Sequence, residues 1–338
     1  MRWTLLLAAF LATAAHAAPA DNVGQAVGAA LQADMPRALQ LVNGIDPKAL
    51  NDKQRSFVTC VRQRFGSAKP ESLGAPRTAT DRILAIYRTY WHASLTHPEN
   101  RAAEEKKLDA ALRVLLKAPK DTTDFDPLIE KRVSADGNHS LEGRTGLLRE
   151  LMVWTKQDDR VTSVALPEGQ HQVTVHYLDG FKSFGWSHYA TCGLAATGGW
   201  ATDQALFAVM PRYESPDSEE FKVTFLGHET QHFADKTRFK ELKDWELEYR
   251  AKLVEVAEAD TTRVKVLTRF VTDQGDDPAS PHSYANKKIL TDLVATLGLG
   301  SAQDLFTADL ARLQGAARDI LRADSARRVA AGQLKPAP

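Results

Sequence analysis

The sequence predicts an α+β protein in which a short β section lies between two helical regions. Apolar residues recur at three- and four-residue spacing over residues 18–119, which is typical of amphipathic helices. At residues 172–178, valines and a tyrosine alternate with polar residues, which predicts a half-buried strand. Helical spacing returns over residues 218–331. We therefore expect an all-α N-terminal domain over residues 18–130 and an α+β domain over residues 131–338.

The first 17 residues have the features of a secretory signal peptide. Arg2 supplies the positive charge, residues 5–13 are apolar, and residues 15–17 (Ala-His-Ala) form a small-x-small cleavage site. The apolar stretch is shorter than the roughly 20 residues that a membrane-spanning helix needs. No later segment is apolar enough to span a membrane. We expect a periplasmic or secreted mature chain with no integral membrane segment after signal cleavage.

The charges of the chain balance. Lys and Arg number 43 and Asp and Glu number 43, so loss of Arg2 with the signal leaves 42 minus 43, or −1. This balance gives no electrostatic reason to expect binding to nucleic acid or to an anionic membrane.

The sequence contains two cysteines, Cys60 and Cys192. In an oxidising compartment they could form one long-range disulfide that ties the two halves of the chain together. They could equally remain two buried thiols. The sequence leaves both alternatives open.

The middle of the sequence is expected to contain a connection between the two domains and a β section. Residues 121–137 are rich in Asp, Thr and Pro and are expected to connect the two domains. Residues 141–154 have helical spacing and are expected to form a helix. Residues 186–192 and 206–210 are expected to be further strands, separated by a glycine-rich turn at residues 193–199.

The C-terminal part is expected to be helical. Helices are predicted at residues 218–237, 241–260, 261–272, 284–297 and 302–331. Asp217 or Ser218 is the expected cap of the first, with Glu219 and Glu220 in its first turn, where carboxylates favour the helix dipole. That helix is apolar on two faces, which indicates that it is buried.

Residues 228–232 read His-Glu-Thr-Gln-His and lie within this buried helix. Because residues i and i+4 lie on one helix face, His228 and His232 can present two imidazoles to one cation. Glu229 is rotated by ~100° and can approach the same cation from the side. Zinc suits such ligands and keeps an open position for water, whose pKa falls toward ~7. Glu229 is then the expected general base as the water attacks a carbonyl.

This motif resembles that of the zincin metallopeptidases, and more particularly the gluzincins, in which a glutamate on a second helix completes the site. Residues 233–236 (Phe-Ala-Asp-Lys) depart from the H-x-x-G-x-x-H extension of the metzincins. The resemblance therefore implies Zn²⁺ as cofactor and a third ligand from elsewhere in the chain.

The next helix offers Glu246 and Glu248 as the third ligand. Residues 248–252 (Glu-Tyr-Arg-Ala-Lys) are similar to the E-x-x-A-D or E-x-x-A-N segment whose glutamate binds zinc in several zinc-peptidase families. Lys252 stands where that segment has Asp or Asn. The apolar stripe of this helix lies closer to Glu246 than to Glu248 on a helical wheel, but both sides of the helix are apolar. We favour Glu248 and keep Glu246 as the alternative.

Further candidates surround this motif. The resemblance implies that His282 or Tyr284, at a loop-to-helix boundary, steadies the oxyanion of the reaction; otherwise they are a capping histidine and a packed tyrosine. Asp235, one turn after His232, could orient a ligand imidazole or simply be exposed. In zincins an edge strand above the metal helix pairs with extended substrate, and residues 198–210 precede that helix here.

The sequence thus predicts a zinc-dependent hydrolase, a peptidase that cleaves peptide or related amide bonds. One alternative is a periplasmic binding or scaffold protein with a structural or absent metal, whose helical N-terminal region binds a protein partner. Another is a zinc amidase that acts on cell-wall cross-links, because the zinc chemistry is shared. A catalytic site keeps an open coordination position, whereas a structural site is closed by four protein ligands.

Overall fold

The computed structural model describes residues 19–67 and 74–336. The predicted signal peptide, residues 1–17, lies outside the described residues. Helices and small sheets make up the described chain, which is therefore α+β as the sequence predicts. None of its described helices is both long enough and apolar enough to cross a membrane.

Amphipathic helices form the N-terminal part of the chain, and one further short helix lies at residues 186–190. They are α1 (Pro19–Leu31), α2 (Met35–Asn43), α3 (Asp52–Phe65), α4 (Ala79–Thr96), α5 (Arg101–Leu116), α6 (Asp126–Ala135) and α7 (Trp186–Ala190). Two of them begin at reciprocal capping boxes, formed by Asn51 with Gln54 before α3 and by Thr78 with Asp81 before α4. These side chains satisfy backbone N–H groups that the first helical turn leaves unpaired.

The strands form three small sheets. They are β1 (His139–Leu141), β2 (Arg144–Thr145), β3 (Leu148–Arg149), β4 (Met152–Trp154), β5 (Lys156–Leu166), β6 (Gly169–Asp179), β7 (Ser183–Phe184), β8 (Gly199–Ala201) and β9 (Leu206–Val209). The sheet orders are β1-β4-β7, β2-β3 and β5-β6-β9-β8. In the four-stranded sheet β6 pairs antiparallel with β5 and parallel with β9. β8 pairs antiparallel with β9 and forms one edge of this sheet.

Three secondary-structure predictions are wrong. The connection expected at residues 121–137 contains the helix α6, Asp126–Ala135. The helix expected at residues 141–154 is replaced by strands, because Gly143 and Gly146 adopt φ values of 107° and 55° that a helix does not allow. The strand expected at residues 186–192 is the short helix α7, which begins after Gly185 at φ 89°.

Helices make up the chain after β9. They are α8 (Glu219–Phe221), a π-helix (Lys222–Gly227), α9 (His228–Arg238), α10 (Asp244–Glu258), α11 (Arg263–Thr272), α12 (Pro281–Leu297) and α13 (Leu310–Ala330). Ser218 caps α8, since its Oγ accepts a hydrogen bond from the backbone N–H of Phe221. Single-turn π-helices interrupt longer helices most often at functional sites.

The first compact unit comprises the described residues up to Val153 together with Lys182–Ala196. Its core is built from helices α1 to α7 and includes the fully buried rings of Phe57, Trp91 and Phe125. Cys60 and Cys192 form a disulfide within this unit. The expectation that such a bond would tie the two halves together is therefore wrong, because the chain returns to the first unit after β6.

The second compact unit comprises Trp154–Phe181 and the described residues from Thr197 onward. One face of its four-stranded sheet packs on the helices that follow, with Val175 and Leu206 from the sheet and Phe225 and Leu253 from the helices all buried. The sequence placed a domain boundary near residue 131, whereas the compact units divide after Val153.

Candidate metal centre

The residues of the H-E-x-x-H motif lie on α9, which packs closely against α10. The π-helix before α9 buries Phe225 in the core of the second unit. A Cβ atom added at Gly227 would lie 3.4 Å from Cγ1 of Val254 on α10. The end of the π-helix, just before α9, therefore lies close to α10.

His228, His232 and Glu248 converge at this contact between the two helices. The Nε2 atoms of His228 and His232 are 3.0 Å apart. Glu248 Oε1 lies 3.3 Å from Nε2 of His232, and Glu248 Oε2 lies 3.7 Å from Nε2 of His228. Ligand atoms ~2.1 Å from one tetrahedral ion are about 3.4 Å apart, so these separations are close to those around one small tetrahedral ion. The group could hold a metal ion.

The three side chains are withdrawn from solvent. The exposed fractions are 9% for His228, 11% for His232 and 12% for Glu248. Burial alone would raise the pKa of the Glu248 carboxyl, but the histidines beside it hold that pKa well below its usual range. Glu248 is therefore an anion in a largely buried position, as a cation ligand must be.

Glu246, the alternative third ligand, points elsewhere. One of its oxygens accepts a hydrogen bond from the backbone N–H of Lys243 at 2.9 Å, at the start of α10. The other accepts from Nη2 of Arg328 at 2.9 Å. Both oxygens are thus occupied in binding to the helix terminus and to α13. Of the two glutamates, the structure brings Glu248 to the histidines.

Glu255 orients His228, and the sequence analysis missed it. Nδ1 of His228 lies 2.7 Å from Oε1 of Glu255, so a proton on Nδ1 leaves Nε2 free to bind a cation. Burial would lower the pKa of His228, but the hydrogen bond and charge of Glu255 raise it. Burial would raise the pKa of Glu255, but His228 and then Arg269, which pairs with Glu255 Oε2, lower it.

His232 has no comparable partner. Its Nδ1 atom is buried and has no hydrogen-bond partner among the described residues. The spacing of Glu255 along α10, two turns after Glu248, is the one sequence signal that could have identified the partner of His228.

Asp235 does not orient a ligand imidazole and is not exposed, so both expectations for it are wrong. Its side chain is 1% exposed. It accepts hydrogen bonds from Nε2 of Gln231 at 2.8 Å and from Nε of Arg250 at 2.9 Å. Arg250, itself fully buried, also binds Asp324 and Glu168. Asp235 therefore links α9 to a buried ion-pair network centred on Arg250.

Glu229 lies beside the candidate ligands on the first turn of α9. Its side chain is partly exposed, and it makes no hydrogen bond or ion pair with the other described residues. Its carboxylate is therefore available to a bound molecule.

His282 and Tyr284 lie near the start of α12 but have different surroundings. Nδ1 of His282 is 2.8 Å from Glu248 Oε2, and the side chain is 65% exposed. The ring of Tyr284 packs edge-on against Trp245, with ring centroids 5.1 Å apart. The structure thus brings His282 to the candidate metal ligands and places Tyr284 in an aromatic contact.

Tyr213 is a further tyrosine of this region that the sequence analysis missed. Its ring packs against Phe221 and Phe225, and its hydroxyl lies where a side chain at Gly198 would have to go. Burial raises the pKa of Tyr213, and the negative charge of Glu229 raises it further. Tyr213 is therefore a neutral hydroxyl within electrostatic range of Glu229.

None of the known protein families, characterised proteins or solved structures with which we compared the chain matches it. The site is therefore interpreted from its own geometry.

Proposed function

We propose that the chain is an exported zinc metallopeptidase of the gluzincin kind. His228, His232 and Glu248 would hold the zinc, and Glu229 would be the general base. The observation that carries the proposal is the convergence of two imidazole nitrogens and one carboxylate, 3.0 to 3.7 Å apart, beside a carboxylate with no partner among the described residues. Two nitrogens and one oxygen are the ligand set of zinc peptidases with an open fourth position.

In the proposed reaction, the metal and the residues of the chain have separate roles. A zinc ion held by His228, His232 and Glu248 would supply Lewis-acid chemistry, that is, polarisation of a carbonyl and a lower pKa for a water molecule. Glu229 accepts the proton of the attacking water and passes it to the leaving amine. Glu255 keeps the Nδ1 proton of His228 in place, so that Nε2 keeps its lone pair for the cation.

His282 and Tyr213 are the candidates for stabilising the oxyanion. His282 contacts Glu248 and is exposed, so it can reach a bound substrate. The neutral hydroxyl of Tyr213 can donate a hydrogen bond from the side of Glu229. Tyr284 is the weaker candidate, because its ring packs on Trp245. Loss of a single such donor costs about 10²–10³-fold in turnover.

The edge strand β8 supports binding of an extended peptide. Gly199 lies so close to Phe225, just before α9, that any side chain there would collide with the ring. β8 therefore lies against the helix that carries the metal motif, and pairs with β9 on one side only. Its other side can add a substrate strand through backbone hydrogen bonds.

The disulfide supports an oxidising location. Cys60 and Cys192 are bonded, and structural disulfides persist mainly in secreted and periplasmic proteins. Together with the signal-like residues 1–17, this favours a periplasmic or secreted protein.

Exchange of Glu229 for Gln tests the catalytic part of the proposal. The substitution keeps size and polarity but removes the base. Zinc content and fold should survive, and cleavage of a mixed peptide library should fall at least ~10²-fold. Glu220→Gln, earlier on the same helical segment and paired with exposed Lys265, is the matched control and should cleave like the native protein. Native cleavage by Glu229→Gln would refute the mechanism.

One observation favours the alternative of a closed, structural metal site. His282 lies 2.8 Å from Glu248 and could become a fourth protein ligand. In that case His282→Ala would lose zinc as readily as His228→Ala. If His282 instead acts on the substrate, His282→Ala should keep its zinc and lose turnover.

A further inference from the structure

Lys252 is a buried amine beside the candidate metal ligands. It lies one turn after Glu248 on α10, and 4% of the residue is exposed. Its Nζ is 3.8 Å from Glu248 Oε2 and 5.1 Å from the ring centroid of Phe270. Burial lowers the pKa of Lys252, while the charges of Glu255 and Glu248 act to raise it. In its protonated form, an amine so close to a cation site opposes cation binding, and the proposed reaction gives it no role.

The two oxygens of Glu248 have different neighbours. Oε1 faces Nε2 of His232 at 3.3 Å. Oε2 faces His282 at 2.8 Å and Lys252 at 3.8 Å, with His228 at 3.7 Å. Two nitrogen atoms outside the candidate ligand set, those of His282 and Lys252, thus lie near Oε2.

We propose that Lys252 is a positioning residue that restricts Glu248 to metal binding through Oε1 alone. The inference rests on the metal site of the proposed function. A carboxylate that bound through both oxygens would fill one more coordination position. By attracting Oε2, Lys252 keeps that position open for water and substrate, and it weakens the site's affinity for the cation.

Exchange of Lys252 for Met tests this role, because Met has a similar length and no charge. Cobalt(II) is the probe, since its visible absorption is stronger in four-coordinate than in five-coordinate sites. In Lys252→Met we expect weaker absorption per bound cobalt and at least ~10-fold tighter cobalt and zinc binding, because a repelling charge is gone. Lys252→Arg keeps the charge and should retain the native spectrum and affinity.

Lys288→Met is the matched control. Lys288 also pairs with a carboxylate one turn away, Asp292 at 3.1 Å, and also lies over an aromatic ring, that of Tyr249. The Lys288→Met variant should keep the native cobalt absorption and the native metal affinity. Circular dichroism establishes that each variant folds, and Lys252→Gln takes the place of Lys252→Met if the latter does not.

The outcomes separate this inference from the proposed function. Weaker or unchanged metal binding in Lys252→Met overturns the inference, because removing an orienting partner ordinarily weakens a site. Tighter binding with an unchanged spectrum overturns it as well, since charge alone would then explain the affinity. A native protein that binds neither cobalt nor zinc overturns the metal site itself.

Discussion

Glu255 accepts a hydrogen bond from Nδ1 of His228 at 2.7 Å, and it lies on the same helix as Glu248. One helix therefore supplies both a candidate metal ligand and the carboxylate that orients a second ligand. In the zinc-peptidase segment that α10 resembles, an Asp or Asn follows the glutamate ligand at the position of Lys252. In this chain the carboxylate that contacts His228 is instead Glu255, about one turn after Lys252 on α10.

Loss of this hydrogen bond should weaken metal binding. We expect Glu255→Gln to lower zinc affinity by roughly 10- to 100-fold, because an amide orients the imidazole less firmly and carries no charge. Competition with a coloured chelator measures the change. Glu258→Gln, on the same helix and paired with Arg318 near the surface, is the control and should bind zinc like the native protein. Equal affinities for native protein and Glu255→Gln would contradict the orienting role.

Arg250 should be essential for the stability of the second unit. It is fully buried and binds Asp235, Asp324 and Glu168 at 2.8 to 2.9 Å. Arg250→Met leaves these carboxylates without their cation, so we expect a loss of about 3–5 kcal/mol in the free energy of unfolding. Urea unfolding measures it.

The control for Arg250 is Arg322→Met. Arg322 is 57% exposed and pairs with Asp319 at 3.8 Å, so its loss should change the unfolding free energy by less than ~1 kcal/mol. Similar losses of unfolding free energy in Arg250→Met and Arg322→Met would show that the buried network contributes no more to stability than an exposed ion pair.

Glu219 should give the stability of the C-terminal helices a defined pH dependence. Its carboxylate accepts hydrogen bonds from the backbone N–H groups of Asp260, Thr261 and Thr262, just before α11. Partial burial would raise its pKa, but the hydrogen bonds from Thr261 and Thr262 lower it from 4.5 to about 2. Its stabilising effect is therefore present above pH ~4.5 and disappears as the pH falls toward about 2.

The variant Glu219→Gln tests this pH dependence. It should be roughly 0.5–1 kcal/mol less stable than the native protein at pH 7, with the difference vanishing near pH 2. Urea unfolding at several pH values measures the difference. Glu214→Gln, at an exposed position, should show no difference at any pH. A Glu219→Gln difference that persists unchanged to pH 2 would rule out the charge of Glu219 as its cause.

The disulfide should stabilise the first unit and leave the metal site unaffected. Cys60 and Cys192 both lie in that unit, whereas the candidate ligands lie in the second. We expect Cys60→Ala with Cys192→Ala to lose about 2–4 kcal/mol of unfolding free energy and to bind zinc with native affinity. Differential scanning calorimetry and zinc titration measure the two effects. Loss of zinc binding would mean that the site depends on the first unit.

The parts of the site that follow from local spacing could be predicted from the sequence. His228 and His232 lie one helical turn apart, so their proximity needs only a helix. Glu248 required the packing of a second helix, and its resemblance to a known segment was a better guide than the apolar stripe, because α10 is buried on most of its sides.

The parts that depend on distant partners could not be predicted. Asp235 is buried because Arg250, Asp324 and Glu168 neutralise it, and these residues come from separate elements. The helix expected at residues 141–154 is wrong for a local reason, because Gly143 and Gly146 adopt positive φ values that interrupt the helical spacing.

The metal content of the purified mature protein tests the central claim most directly. After zinc loading and dialysis, we expect about one zinc per chain by mass spectrometry, and a strong loss in His228→Ala, His232→Ala and Glu248→Gln. Glu246→Gln is the matched control for Glu248→Gln, because Glu246 lies on the same helix as Glu248 but binds Arg328 of α13, and it should retain its zinc. A native protein that stays free of metal, or equal zinc loss in Glu246→Gln and Glu248→Gln, would contradict the account.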